Sequence, residues 1–278
     1  MEKKYVILDD CVKVESGSIL YQIQAIRDFG DVKEGDVGGF IEKEENLSHE
    51  GDCWVYQNAS VYNNAHISDN AKIRNWCRVF ENALVAGNAQ ISDHASIYGN
   101  AHISGNANIS GRARVCGNSR ICDNTRIYQD AIIYDNALIC NNAIIYGNAK
   151  VYGHAEILNT ARVFEHASVH GTVSVLNDSL VHGTAHVSGN GVLYKDVDIS
   201  TNTDYIVIGS IGSRNAFTTF YRNKSGGISV SCGCFHNTME EFEERVERTY
   251  GKNGKKPNDV YYTQYTGAIN YAKSVMVK

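Results

Sequence analysis

The stretch Ala101-His-Ile-Ser-Gly-Asn-Ala-Asn-Ile-Ser-Gly-Arg-Ala-Arg-Val-Cys-Gly-Asn118 decides the fold of this chain. It contains three six-residue repeats, and the same frame runs from Cys53 to Ser200 without an insertion or deletion. The third position is Ile, Val or Leu in all 25 repeats, and the first position is Ala in 17 of them. A period this strict indicates a solenoid built from stacked coils.

Each preference in the repeat has a physical cause. Positions one and three of a short strand point to the same side, so a small and a β-branched residue share the interior. Positions five and six are mostly Gly, Asp or Asn followed by Asn, His, Thr or Asp. These residues tolerate the left-handed backbone of a sharp corner. Asn at position six is expected to form a ladder of amide hydrogen bonds from coil to coil.

The fold class predicted is mainly β: a single-stranded left-handed parallel β-helix with an N-terminal β cap and a small C-terminal α+β module. The predicted boundaries are residues 1–52, 53–202 and 203–278. Three repeats per coil give about eight coils with strands about 4.8 Å apart. An α-helix is excluded because the apolar spacing does not approach 3.6 residues. A right-handed solenoid is the remaining alternative.

The two ends interrupt the repeat. Strands are predicted at Tyr5–Leu8 and Ile19–Ile26, followed by a Gly-rich entry into the first coil. The C-terminal module is predicted to hold strands at Tyr205–Ile208, Phe217–Arg222 and Ile228–Phe235, with a hairpin turn at Gly226-Gly227. A capping box at Thr238 opens one amphipathic helix, and a second helix follows Pro257.

Composition limits the classes of partner. The sequence has no apolar run near 18 residues and no signal peptide, so we expect no membrane association, a cytoplasmic location and reduced cysteines. The net charge of −5 does not suggest a nucleic-acid partner. The charge is uneven, with −7 in residues 1–52, −1 in residues 53–200 and +3 in residues 201–278.

The N-terminal cap resembles that of the YdcK-like hexapeptide-repeat proteins. The residues that carry the resemblance are Ala25-Ile-Arg-Asp-Phe-Gly-Asp-Val32, Gly38-Gly39, Asn46-Leu-Ser48 and Gly51-Asp-Cys-Trp-Val-Tyr56. By fold, this family is placed with the trimeric hexapeptide acyltransferases, so the resemblance implies a left-handed β-helix and, by analogy, acetyl transfer. The tail Gly212-Ser-Arg-Asn215, Thr218-Thr-Phe-Tyr221 and Ser231-Cys-Gly-Cys-Phe235 resembles a module found behind such repeats in bacterial and phage proteins.

One outward column of position-four residues is aromatic. An 18-residue coil stacks Tyr62, Phe80, Tyr98, Tyr134 and Tyr152 on one face, beside basic residues at position two. We expect this ladder to form a homo-oligomer interface, in a trimer rather than a dimer. An anion-binding platform and simple stiffening of the sheet are the alternatives.

Other candidate sites lie toward the C-terminal end. A cluster of His166, His182 and His186 can supply a base or a metal ligand, but turn positions also favour His for structural reasons. The segment Cys232-Gly-Cys-Phe-His236 alternates ligand types along a strand without completing a zinc site. The loop Ser210–Asn215, with Ser213, Arg214 and Asn215, can cradle a phosphate, and Arg222 lies nearby in the module.

Three functions remain open at this stage. The first is a non-enzymatic interaction protein that binds a protein partner through its flat faces and C-terminal module, as in a phage or mobile-element accessory protein that inhibits a host defence. The second is a hexapeptide-type acetyltransferase, although the repeat lacks the projecting loop usual in such enzymes. The third is a nucleotide or phosphate-binding module. The sequence assigns no catalytic residue, metal or cofactor.

Overall fold

A computed structural model describes residues 2–15 and 17–276. The chain forms two compact units, residues 1–152 and 153–278. The boundaries expected from composition, after residues 52 and 202, lie inside these units and stay a prediction. Both units contain parallel β-solenoid coils, and the predicted fold class is confirmed.

The first unit opens with three antiparallel strands, β1 (Tyr5–Glu15), β2 (Ser18–Ala25) and β3 (Val37–Ile41). The predicted first strand was too short, and the Gly-rich entry is itself a strand. A side chain at Gly39 would collide with the carbonyl oxygens of Tyr56 and Ala59. The two glycines of β3 therefore let it pack closely against the first coil, where it pairs in parallel with Ser60–Val61.

Two-residue strands build the coils of the first unit. After a 3₁₀ turn at Glu44–Asn46 come β4 (Trp54–Val55), β5 (Ser60–Val61), β6 (His66–Ile67), β7 (Lys72–Ile73), β8 (Arg78–Val79), β9 (Leu84–Val85), β10 (Gln90–Ile91), β11 (Ser96–Ile97), β12 (His102–Ile103), β13 (Asn108–Ile109), β14 (Arg114–Val115), β15 (Arg120–Ile121), β16 (Arg126–Ile127), β17 (Ile132–Ile133), β18 (Leu138–Ile139), β19 (Ile144–Ile145) and β20 (Lys150–Val151). Within this unit, each of these two-residue strands pairs in parallel with the strand three further along the chain. The strands therefore form three sheets, which are the walls of the solenoid.

The repeat register is confirmed residue by residue. Gln90 pairs with Asn108, which is 18 residues and one coil further along. Every third-position residue from Val55 to Ile199 is fully buried. Two of the three corners carry the predicted asparagine ladders, in which each side-chain amide donates to the next at 2.9–3.2 Å. Position-five residues such as Asn63 take the left-handed backbone that the corner requires.

The second unit continues the pattern with β21 (Glu156–Ile157), β22 (Arg162–Val163), β23 (Ser168–Val169), β24 (Ser174–Val175), β25 (Leu180–Val181), β26 (His186–Val187), β27 (Val192–Leu193) and β28 (Asp198–Ile199). A 3₁₀ turn at Asn202–Asp204 leads into an antiparallel sheet of β29 (Tyr205–Ile211), β30 (Ala216–Arg222), β31 (Ile228–Cys232) and β32 (Phe235–Thr238). Helices α1 (Met239–Tyr250) and α2 (Asp259–Met276) complete the module.

The core of the module joins the sheet to both helices. Phe220, Val230 and Phe235 pack with Phe242 of α1 and Tyr265 of α2. The predicted capping box is present in part, because the Thr238 side chain accepts a hydrogen bond from the Glu241 amide at 3.3 Å. Burial of one apolar face per helix is the main source of stability for such short elements.

The cysteines differ from expectation at one place. Cys122 and Cys140, position-four residues of successive coils, form a disulfide. Because stacked residues have neighbouring Cα atoms, here 4.8 Å apart, the solenoid brings two such thiols within bonding reach. The expectation that all cysteines are reduced is therefore wrong for this pair.

Candidate functional site

A cavity of about 630 Å³ opens in the second unit. Its wall combines the last coils, the β30–β31 hairpin and both helices. The lining side chains that carry charge or a polar ring are His182, Asp198, Asp204, Arg222, Lys224, Glu240 and Lys273. The volume lies in the range that suits small ligands or a few side chains of a partner.

His182 is held between two carboxylates. Its Nε2 atom lies 2.8 Å from Oδ1 of Asp198, and its Nδ1 atom lies 3.7 Å from Oε2 of Glu165. Its ring stacks on Phe164 with centroids 4.9 Å apart. Neither acid was among the residues predicted to accompany the histidine cluster. The Asp198 contact runs diagonally, from position four of one coil to position two of the next.

Asp204 lies beside Arg222 in the cavity lining and is fixed by hydrogen bonds. Its Oδ2 atom accepts hydrogen bonds from the amides and hydroxyls of Ser200 and Thr201 at 2.9–3.2 Å. Burial by itself would raise the pKa of Asp204, but these hydrogen bonds outweigh it and lower the pKa. Asp204 is therefore a structural carboxylate, ionised in the folded protein.

Arg222 is a structural cation rather than an exposed recognition residue. Its side chain is 17% exposed and lies 3.6 Å from Asp204 through Nε. It donates to the carbonyl oxygen of Gly226 at 2.9 Å and to that of Met276 at the end of α2. A cation at a helix C-terminus is favourable, so Arg222 fastens both the hairpin and α2.

The two lysines of the cavity also contact acids. Lys224 Nζ lies 2.5 Å from Oδ2 of Asp178 and 2.8 Å from its carbonyl oxygen. Lys273 pairs with Glu243 on α1. Since each cation is compensated, the cavity offers little net attraction for a free anion.

The structure separates the other predicted residues from this cavity. Ser213 and Arg214 line a second cavity of about 130 Å³ beside Tyr250 and Tyr265, while Asn215 sits in the turn with φ of 48°. His166 and His186 are exposed and do not line the larger cavity. Of the predicted binding residues, only His182 and Arg222 come together there.

The 210–215 loop was predicted to cradle a phosphate, but several of its N–H and hydroxyl groups already form hydrogen bonds within the protein. The Gly212 amide donates to Oε1 of Gln264 at 2.8 Å, and the Asn215 amide donates to the Gly212 carbonyl at 3.1 Å. The Ser213 hydroxyl lies 2.7 Å from that of Tyr250. These contacts leave Arg214 as the main exposed cation of the loop.

The expected alternation of Cys232, Cys234 and His236 on one strand is wrong. A turn at Gly233-Cys234 divides the segment, so Cys232 pairs with Phe235 across a hairpin. His236 instead stacks on Tyr194 with centroids 4.2 Å apart. Within residues 2–15 and 17–276, these three side chains do not form a cluster able to hold a metal.

Comparison with known proteins supports the resemblance of the cap. The protein named "Uncharacterized acetyltransferase YdcK", from Escherichia coli (strain K12), is 55% identical to this chain over 42 residues. The match covers 15% of this chain and only 13% of that protein. Together with the hexad solenoid, this short match makes the chain similar to the YdcK-like hexapeptide-repeat proteins in its N-terminal cap. A scan against family models found no match.

The predicted aromatic ladder is present in the first unit. Phe80 stacks on Tyr98 at 5.0 Å, and Tyr134 stacks on Tyr152 at 4.6 Å. Tyr62 stacks on Phe80 at 5.1 Å but is only 1% exposed. Tyr62 is therefore covered by its own chain and cannot contribute directly to an interface, a correction to that part of the prediction. The other four rings are half-buried.

A second exposed surface lies on α2 and was not predicted. Val260, Tyr271 and Val275 are 62%, 56% and 40% exposed. With Gly267 they occupy positions i, i+7, i+11 and i+15, which share one helix face. We call this set the α2 stripe. Its sequence signal is weak because α2 also has an apolar buried face. No helix among the described residues has the length and apolar character needed to cross a membrane.

Proposed function

We propose that this protein acts by recognition rather than by catalysis, and that the α2 stripe is the surface that meets a protein partner. The observation that carries the proposal is the exposure of three large apolar residues on one face of a well-packed helix. The opposite face, with Tyr265, Ala268 and Ala272, is already buried in the module. Large apolar side chains exposed on one face of a helix, with polar residues around them, favour an interaction site.

Basic residues precede the stripe in the chain. Lys252, Lys255 and Lys256 are exposed and immediately precede α2. The partner surface therefore combines an apolar strip with neighbouring acidic residues, since complementary charge increases both encounter rate and specificity. Inhibition of a host defence by a mobile-element protein is the biological setting proposed for this binding.

The geometry of His182 supports recognition over acyl transfer. A general base needs a ring nitrogen within hydrogen-bond reach of the acceptor. Both nitrogens of His182 face carboxylates, and the ring is stacked on Phe164. In addition, the 25 repeats contain no projecting loop to form a donor pocket.

Acetyl transfer is the second candidate, and one specific observation favours it. The His182–Asp198 pair lines a cavity of about 630 Å³, and the matched relative is named an acetyltransferase. The 3.7 Å separation from Glu165 is long for a hydrogen bond, so movement of Glu165 would free Nδ1. The two candidates differ in whether acetyl-CoA is consumed.

Self-association is a separate part of the proposal. Phe80, Tyr98, Tyr134 and Tyr152 form the half-buried part of the ladder, and we propose that it contacts a second copy in a homo-oligomer. Replacing Phe80 and Tyr98 by Glu is expected to produce a smaller species in light scattering, whereas the control Leu84→Glu, an exposed apolar residue on another sheet, is expected to retain the wild-type mass.

Photo-crosslinking tests the recognition surface. A benzophenone amino acid replaces Tyr271 in one variant and Leu84 in another, and both are exposed to lysate of the source cell. Position 271 is expected to capture a specific protein through a segment that contains acidic and apolar residues, with capture weakening as salt increases. The same proteins captured at both positions, or a segment without acids, would contradict the proposal.

A further inference from the structure

One corner of the solenoid departs from the asparagine ladder in the first unit. Position six at this corner holds Trp76, His94, Arg112 and Asp130 in four successive coils. All four side chains are exposed. The other two corners of the same coils keep their asparagines, so the corner geometry does not require these replacements.

The replaced corner forms a basic cradle with the neighbouring sheet. A cavity of about 400 Å³ is lined by Arg78, His94, Ser96, Arg112, Arg114 and Asp130. Ser96 pairs with Arg78 on one side and Arg114 on the other. A small residue between two long ones leaves a gap, with the two arginine Cα atoms about 10 Å apart.

The cradle has an excess of positive charge. Arg112 and Arg114 bring two guanidinium groups to a lining that holds one carboxylate, that of Asp130. Within residues 2–15 and 17–276, the guanidinium groups of Arg112 and Arg114 form no salt bridge, although Arg114 acts electrostatically on Tyr98. Planar guanidinium groups are well suited to bind phosphate oxygens in pairs.

A flat aromatic surface adjoins the cradle. Trp76 is 57% exposed and parallel to His94, with centroids 6.5 Å apart. Trp76 also lines a second cavity, of about 450 Å³, together with Asp36, Asn75 and Arg74. The Trp76–His94 pair therefore separates a basic cavity from a cavity with hydrogen-bonding groups and an exposed ring face.

We propose that this corner binds a phosphate-bearing ligand with a flat ring, of the nucleoside monophosphate type. Arg112 and Arg114 hold the phosphate, with Arg78 on the far side of Ser96. The ring lies against the exposed face of Trp76, where Asp36 and Asn75 offer hydrogen bonds. This site is independent of the α2 stripe, because all of its residues belong to the first unit.

Calorimetry with the intact chain tests the site. The probes are AMP, adenosine and inorganic phosphate at fixed ionic strength. AMP is expected to bind at least about tenfold more tightly than either fragment, because it engages both cavities. AMP is also expected to quench the fluorescence of Trp76, which is 57% exposed, and W76F should remove most of that change. Trp54, the other tryptophan, also lines the cavity of about 450 Å³ but is 2% exposed.

A charge-matched pair of variants isolates the cradle. R112A/R114A is expected to weaken AMP binding at least about tenfold through the loss of charged hydrogen bonds. R120A/R126A removes the same charge from exposed position-two sites outside the cradle and should change binding less than about twofold. Circular dichroism checks that both variants fold.

Three results would overturn the proposal. The first is an absence of AMP binding at millimolar concentration. The second is an affinity for AMP no greater than that for inorganic phosphate, which would show that the ring of the ligand does not contribute to binding. The third is equal weakening by the two double variants, which would reduce the effect to general electrostatics.

Discussion

The Nε2 atom of His182 lies 2.8 Å from Oδ1 of Asp198 on the next coil. His182 and Asp198 both line the cavity in the second unit. Glu165 faces the other ring nitrogen of His182. A histidine held in this way organises the surface of the last coils. Its Nε2 atom is engaged by Asp198, whereas the 3.7 Å separation between Nδ1 and Glu165 is long for a hydrogen bond.

The first prediction concerns acetyl-CoA. The wild-type protein is expected to show no acetyl-CoA-dependent release of thiol with amine acceptors, and His182→Gln is expected to leave that baseline unchanged. The measurement is a colorimetric thiol assay with and without acceptor. Turnover in the wild type that His182→Gln abolishes would replace the recognition proposal with acetyl transfer.

The second prediction contrasts two arginines given the same substitution. Arg222→Glu is expected to lower the free energy of unfolding by about 3–5 kcal/mol, because it leaves Asp204 buried without its cation and repels it. Arg214→Glu, at an exposed position, should change it by no more than about 0.5 kcal/mol. Urea denaturation measures both. Equal effects would show that the contacts of Arg222 with Gly226 and Met276 contribute little.

The third prediction concerns pH and Asp204. Its pKa is lowered in the folded state, so its ionised form contributes stability above the unfolded pKa near 4, and this contribution is lost as pH falls through the folded value. Asp204→Asn should therefore be less stable than the wild type at neutral pH, and the difference should shrink below about pH 4. A difference that stays constant from neutral to acidic pH would argue against the hydrogen-bonded carboxylate.

The fourth prediction tests the interior of the solenoid. Ile121→Ala in β15 should destabilise the protein by about 2–5 kcal/mol, because the buried side chain leaves a cavity. Its neighbour Arg120 points outward, and Arg120→Ala should cost no more than about 0.5 kcal/mol. Chemical denaturation compares the two. Similar losses at both positions would contradict the inward and outward assignment.

The repeat made most of the fold predictable from local physics. Position three of every six-residue repeat is Ile, Val or Leu, as at Ile121. Only one strand register buries all of these side chains together. The asparagine ladders and the Thr238 cap followed from the same local preferences. The strand at Gly39 was missed because its reason is tertiary: two carbonyl groups of the first coil approach it too closely for a side chain.

The site was much less predictable because its contacts join distant parts of the chain. Arg222 reads as an exposed cation in the sequence, but its carbonyl partner at Met276 is 54 residues away. His182 and Asp198 are 16 residues apart, so they are diagonal neighbours on successive coils. Residues that stack directly above one another are 18 apart, and the sequence was compared only along those columns. Tyr62 is buried although position four of the hexad points outward, so the hexad pattern alone does not predict its burial.

The affinity of the partner captured at position 271 tests the central claim most directly. Calorimetry would compare the wild type with Tyr271→Glu and with Leu84→Glu, which place the same charge on exposed apolar sites of similar accessibility, 56% and 43%. Tyr271→Glu is expected to weaken binding at least about tenfold, because it puts a carboxylate against an acidic and apolar surface. Leu84→Glu should leave the dissociation constant within about twofold. Equal dissociation constants for the wild type and Tyr271→Glu would contradict recognition through the α2 stripe.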